Sequence, residues 1–142
     1  MSFSTTNLKK LIYGVLKNDA TLIALLGGSE NIFHFFPKQE DEIIYPIIVY
    51  NIIAIEDNAY NSDRNADINT LLLNIDVFSS DDTITEADNI ADRIYALLHT
   101  QSISDSNVKV FTCFRTKQDE IFEEESMSWR INIHFEITNV AK

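Results

Sequence analysis

The stretch that most constrains the fold runs from Leu71 to Leu98, an apolar run followed by an acidic turn and an amphipathic segment. Every second residue from Leu71 to Val77 is aliphatic, which is the spacing of side chains that share one face of a β-strand. From Ile84 to Leu98, apolar residues recur at steps of three and four and so lie along one stripe of an α-helix. The sequence therefore predicts a strand, a tight turn and a helix in immediate succession.

The turn carries signals for the start of that helix. Thr83 and Glu86 have the spacing of a capping box, in which the hydroxyl accepts an amide proton and the carboxylate reaches back to the cap. Asp81 and Asp82 add negative charge where the helix dipole is positive. We therefore expect Thr83 to cap the helix.

Composition favours one globular domain across residues 1–142. Apolar residues make up 45% of the chain, an ordinary content for a folded domain of this length. Only three glycines and two prolines are present, so most residues should lie in helices and strands. No apolar run is long enough to cross a bilayer, and no membrane partner is expected.

The first 28 residues predict a helical hairpin. An apolar stripe runs from Leu8 to Leu16, and Asp19 is placed to cap a second short helix. The pair Gly27-Gly28 follows that helix, where a left-handed residue is usually glycine. Both helices should cover the core.

Two strands are expected next, over 32–36 and 47–55. Tyr45-Pro46 opens the second strand, at a position where no ladder donor is needed. Because this strand is apolar on both faces, it is either central and covered on each side or meets another subunit with one face.

The most polar segment of the chain, Asp57 to Asp67, separates two strong strands. It is too long for a tight hairpin and lacks glycine, and loops of this length are often functional. Aromatic and arginine side chains dominate interface energetics, so Tyr60 and Arg64 are the expected anchors. The candidate assembly-interface residues are Asp57, Asn58, Tyr60, Asn61, Asp63, Arg64 and Asp67.

The C-terminal third predicts two more strands. A strand is expected over 108–115 after a polar connector at 100–107, and the acidic run 119–125 is expected to be a solvated turn. From Met127 to Thr138, apolar and polar residues alternate strictly, which is the clearest strand signal in the chain. The predicted class is α+β, with an antiparallel or mixed β-sheet of about five strands, helices packed on one face, and the order α-α-β-β-β-α-β-β.

Residue types that carry catalysis are sparse and badly spaced. The three histidines lack metal-ligand spacing, and the single cysteine, Cys113, excludes an internal disulfide. We therefore assign no catalytic, cofactor-binding or metal residues and expect no enzyme. One alternative is a small metal-dependent enzyme that uses an acidic cluster at one strand end, formed by Asp76, Asp81, Asp82 and Asp88. A host adaptor domain is another.

The formal net charge of −11 argues against tight nucleic-acid binding, which depends on clusters of Lys and Arg. An acidic surface can still act near DNA, because it repels the polymer and keeps it from adhering.

The layout resembles a known family. Its features are a helical N-terminus, Tyr45-Pro46 opening a strand, a long polar loop, a strand ending in Val77-Phe78-Ser79, and a helix of the form A-x-x-I-A-x-x-I-x-x-L-L from Ala87 to Leu98. In this pattern and in its long alternating final strand, the chain is similar to the tail-completion, or tail-terminator, proteins of long-tailed phages and prophages. The resemblance extends to the tail-to-head joining protein of the Bacillus phage of the SPP type.

The resemblance implies a structural virion protein that is assembled in the host cytoplasm and acts at the head-proximal end of the tail. It implies a ring, a hexamer when assembled, that caps the tail tube and joins it to the head connector or stopper protein. DNA would pass through the lumen without specific binding. In dilute solution we expect a monomer or weak oligomer that closes into a ring on the tail.

Overall fold

A computed structural model describes residues 5–35, 43–57 and 68–141 of the chain. In chain order its elements are α1 (Thr5–Lys17), α2 (Ala20–Leu25), β1 (Ile32–His34), β2 (Ile47–Asp57), β3 (Ile68–Ser79), α3 (Thr85–Leu98), β4 (Ile103–Ser104), β5 (Val108–Glu123) and β6 (Ser128–Ala141). The strand–turn–helix unit predicted from residues 71–98 is present as β3 and α3.

The strands form one mixed sheet in the order β1-β2-β3-β6-β5-β4. Only the β1–β2 pair is parallel, and the other neighbours are antiparallel. The predicted α+β class with a mixed sheet is confirmed. The additional strand β4 has two residues and lies in the segment that the sequence predicted to be a connector.

The hydrophobic core lies between the helices and one face of the sheet. Side chains of all three helices and of alternate strand residues are buried in it, with Phe135 the largest side chain that is fully enclosed. The aliphatic residues at alternate positions from Leu71 to Val77 lie on this face, and the apolar stripe of α3 is buried against it. The aliphatic face of β3 therefore packs against the apolar stripe of α3, as the sequence predicted.

The predicted capping box at α3 is wrong. The residue before the helix is Ile84, and no side chain caps the first turn. Glu86 instead accepts a hydrogen bond of 2.6 Å from the hydroxyl of Ser79, and that hydroxyl accepts the backbone N–H of Asp81 at 3.2 Å. Glu86 is therefore bonded to Ser79, at the end of β3, and not to the predicted cap. Ser79 is buried beside the turn.

The other predicted helix ends are confirmed. Asp19 caps α2 by accepting the backbone N–H of Leu22 at 2.9 Å. Gly27 and Gly28 follow α2 with φ of 85° and 88°, the left-handed region in which glycine carries no steric penalty.

The predicted acidic turn at 119–125 is also wrong, because most of it belongs to β5. This strand continues to Glu123, which pairs with Ser128, and only residues 124–127 form the turn of the β5–β6 hairpin. The pairing with β6 holds the acidic segment extended. β1 ends at His34, and residue 36 of the predicted strand lies outside the described residues.

The register places the β2–β3 connection and the β5–β6 turn at opposite ends of the sheet. At one end, Ile68 pairs with Val140, beside the point where β2 ends at Asp57. At the other end, Ile47 pairs with Phe78, and the β5–β6 hairpin turns. Within the described ranges, no helix is long and apolar enough to cross a membrane.

Candidate assembly surfaces

The acidic residues proposed as a metal cluster are not brought together. Asp76 is buried on the sheet face opposite the helices, whereas Asp81 and Asp82 are exposed in the turn before α3. Among residues 5–35, 43–57 and 68–141, no three His, Cys, Asp or Glu side chains are close enough to hold a metal ion.

Asp76 is the centre of a polar network on the helix-free face. Its Oδ1 accepts hydrogen bonds from Nε of Arg130 at 2.9 Å and from Nδ2 of Asn132 at 2.8 Å. Its Oδ2 accepts one from Nδ2 of Asn74 at 3.0 Å. The amides are also bonded to each other, since Asn132 donates to Oδ1 of Asn74 at 2.7 Å. The carboxylate bonds raise the pKa of Arg130. Asp76 is only 7% exposed, and its carboxylate can be buried to this degree because these donors are paired with it.

Apolar side chains lie on the same face of the sheet as this network. Ile47 and Val49 of β2 are buried on it, while Phe114 of β5 is exposed on it. The N-terminal half of β2 therefore has buried side chains on both faces, and the strand lies inside the sheet between β1 and β3, as the first predicted alternative requires. The alternative, in which one face meets another subunit, stays a prediction.

A second ion pair joins two helices that are far apart in sequence. Arg93 of α3 donates from Nε and Nη2 to the two carboxylate oxygens of Asp19, at 2.8 and 2.7 Å. These hydrogen bonds are the main reason that the pKa of Asp19 is lowered. The same carboxylate that caps α2 therefore also anchors α3, a partnership between residues 74 positions apart that local patterns do not reveal.

The histidines and the cysteine have structural surroundings. His99 stacks on Tyr95 with ring centroids 4.3 Å apart, and its Nδ1 accepts the backbone N–H of Arg115 at 3.0 Å. Cys113 is fully buried, and burial raises the pKa of its thiol to about 12. A protonated, enclosed thiol is a poor nucleophile.

The β5–β6 hairpin carries exposed apolar side chains on both faces of the sheet, since Ile121 lies opposite Arg130 and Phe122 opposite Trp129. Ile121, Phe122 and Met127 are 38%, 41% and 68% exposed, and Phe122 packs edge-on against half-buried Trp129 with ring centroids 4.9 Å apart. Carboxylates surround these side chains, at Asp119, Glu120, Glu123, Glu124 and Glu125. We call residues 119–129 the hairpin surface. The sequence signal for it was the pair Ile121-Phe122 inside an acidic run, which a purely solvated turn would not require.

The outer face of α1 has the opposite charge. Lys10 and Lys17 lie at its centre, with Tyr13 and Gly14 on either side, and α1 contains no acidic residue. Lys17 lies over the ring of Tyr13, with Nζ 5.3 Å from the centroid. A Cβ at Gly14 would meet only Nδ2 of Asn18, at 4.0 Å. We call these four residues the α1 surface.

The predicted interface loop lies almost wholly outside the described residues. Asp57 is the last residue of β2, and Asn58, Tyr60, Asn61, Asp63, Arg64 and Asp67 fall within the range 58–67, which the structure does not describe. The loop assignment stays a prediction.

The described residues form a helix-covered sheet that presents charged and apolar surfaces, and they assemble no metal cluster. The sequence matches the family model described as "Tail completion protein gp17" over residues 10–138, and the chain belongs to that family. It is thus a structural component of a phage-type tail.

A solved structure has the same fold. A chain of the "Virion of native gene transfer agent (GTA) particle" is similar with a TM-score of 0.80 and 18% sequence identity, over 99% of this chain and 100% of that chain. None of the curated proteins matches the sequence.

Proposed function

We propose that this protein closes the head-proximal end of the tail tube as a ring of six copies and joins the tail to the DNA-filled head. The observation that carries the proposal is the family match over residues 10–138. The role is one of presenting surfaces, and no residue is proposed to transform a substrate.

A joining protein needs two separate docking surfaces, and the sheet supplies two ends. The loop 58–67 connects β2 and β3 at the end where Ile68 pairs with Val140, and the opposite end is where Ile47 of β2 pairs with Phe78 of β3. One end would contact the tail tube protein and the other the head connector or stopper protein. The loop, with Tyr60 and Arg64 as anchors, is proposed to contact a neighbouring copy or the tail tube.

The charge of the chain supports a passage for DNA. A formal net charge of −11 repels the phosphate backbone, so DNA could move through a ring lumen without adhering to it. The basic residues are too few and too dispersed to hold a nucleic acid.

Particles produced without this protein test the proposal. Electron microscopy should show full heads separate from tails, with tails unjoined or overlong, and the protein supplied in trans should restore joined particles. Joined particles of normal tail length in its absence would refute the role at the junction.

A further inference from the structure

The hairpin surface and the α1 surface are chemically complementary. Residues 117–125 contain five carboxylates and one lysine around two exposed apolar side chains, whereas α1 contains three lysines and no acidic residue. In a chain with twice as many acidic as basic residues, such a positive helix face is unusual and is suited to an acidic partner.

The two surfaces do not meet within one chain. The outer side of α1 is near β1, since Lys9 acts electrostatically on His34 and the Tyr13 hydroxyl donates to Glu30 at 3.2 Å. Lys9 and Tyr13 are therefore on the β1 side of the molecule, whereas the hairpin joins β5 and β6, four and three strands from β1 in the sheet order; α1 itself also contacts β5. Among the described residues, no ion pair joins Lys9, Lys10 or Lys17 to a carboxylate.

Gly14 is an independent sign of close approach at the α1 surface. Glycine weakens the interior of a helix, and the described surroundings of Gly14 leave room for a larger side chain. Its absent side chain leaves a shallow gap beside Lys10 and Lys17, on the side away from Tyr13. An aromatic or aliphatic side chain from outside could occupy that gap.

We infer that the hairpin surface of one copy docks on the α1 surface of the next copy. Phe122 would pack on the α1 surface at Gly14, and the carboxylates of the hairpin would face the lysines. The contact is head-to-tail, because it joins two different surfaces of the chain, and such contacts close into a ring when the rotation fits. The inference rests on the proposed ring and assigns its interface.

Charge reversal tests the contact. One variant carries Glu124→Lys and Glu125→Lys, a second carries Lys10→Glu and Lys17→Glu, and a third combines all four changes. Each double reversal should lower the yield of joined particles about tenfold or more, because juxtaposed like charges oppose docking. The combined variant should recover most of that loss. A control with Asp82→Lys and Asp92→Lys, both exposed elsewhere, makes the same change in net charge and should keep the yield near normal.

The inference is overturned if the combined variant recovers nothing while its circular dichroism and melting temperature match the normal protein. It is equally overturned if the control loses as much as the hairpin reversal. A steric test is independent of charge: Gly14→Trp should block ring formation, whereas Asn89→Trp on the exposed side of α3 should not.

Cross-linking separates failure of this interface from failure of the ring. An equal mixture of ¹⁴N- and ¹⁵N-labelled protein is added to tails made without it, and a carbodiimide then couples neighbouring amines and carboxylates. Mixed-isotope peptides that join Lys10 or Lys17 to Glu120, Glu124 or Glu125 are expected. Mixed-isotope peptides from other surfaces only, on tails that carry rings, would overturn this interface and leave the proposed function standing. Tails that acquire no ring would overturn both.

Discussion

At the scale of single residues, Asp19 has two roles that are usually given to two side chains. It caps α2 and receives both hydrogen bonds from Arg93 of α3. The first role is local and is visible in the sequence, since an acidic residue directly precedes an apolar helical stripe. The second depends on how α2 and α3 pack, so only the structure reveals it.

Replacement of Asp19 should separate these roles. Asp19→Ala removes the cap and the ion pair and should lower the free energy of unfolding by about 2 kcal/mol, with about half from the cap. Asp19→Asn can still cap and should cost about 1 kcal/mol, because Arg93 is one-third exposed and the pair is partly screened. Urea unfolding of both variants at neutral pH measures these losses.

The pH dependence of the same variants tests the direction of the pKa shift of Asp19. Arg93 lowers the folded-state pKa of Asp19, so the stabilisation is complete above the unfolded pKa of about 3.9 and is lost as the pH falls through the lower folded value. The difference between the normal protein and Asp19→Asn should therefore shrink on acidification. A difference that stayed constant from pH 6 to pH 2 would contradict this assignment.

At the scale of elements, the helix-free face of the sheet depends on one arginine. Arg130→Ala would leave the Asp76 carboxylate buried with only amide partners and should lower the free energy of unfolding by about 3 kcal/mol. The matched control is Arg115→Ala, which removes an exposed arginine that lies 4.2 Å above the ring of Tyr95 and should cost about 0.5 kcal/mol. Thermal or urea unfolding compares the two, and equal losses would mean that Asp76 does not need its partner.

The same elements show which parts of the fold local patterns could predict. The β3–α3 unit and β6 were predicted because their apolar periodicity is long and unbroken. The continuation of β5 through Asp119 to Glu123 was missed, because pairing with β6 outweighs an acidic local composition. The capping box failed for a similar reason, since Ser79 from the preceding strand takes Glu86.

The candidate surfaces, too, can be predicted from the sequence only in part. The charges of the hairpin can be read from the sequence, but which of its apolar side chains are exposed, and on which face of the sheet, requires the structure. The loop 57–67 was selected for its polarity and length alone, and its role depends on partners that no sequence pattern specifies.

At the scale of the whole molecule, the sheet should fold without the loop. Deletion of residues 58–66 leaves Asp67 and Ile68 to bridge the paired residues Asp57 and Asn69, which is the length of the tightest hairpins. The variant should keep a normal circular dichroism spectrum but lose the joining of heads to tails. A second variant with a nine-residue Gly/Ser segment in place of 58–66 separates loss of side chains from loss of length. Full assembly with both variants would show that the loop is not an assembly interface.

The register at the end of β6 also offers a way to orient the particle. Because Val140 pairs with Ile68, a compact density marker attached after Ala141 would sit beside the loop, about the whole length of the sheet from the β5–β6 turn. A second marker inserted between Asp82 and Thr83, in the exposed turn that follows β3, would label the opposite pole. Images of the two labelled particles would show directly which pole of the subunit points toward the capsid.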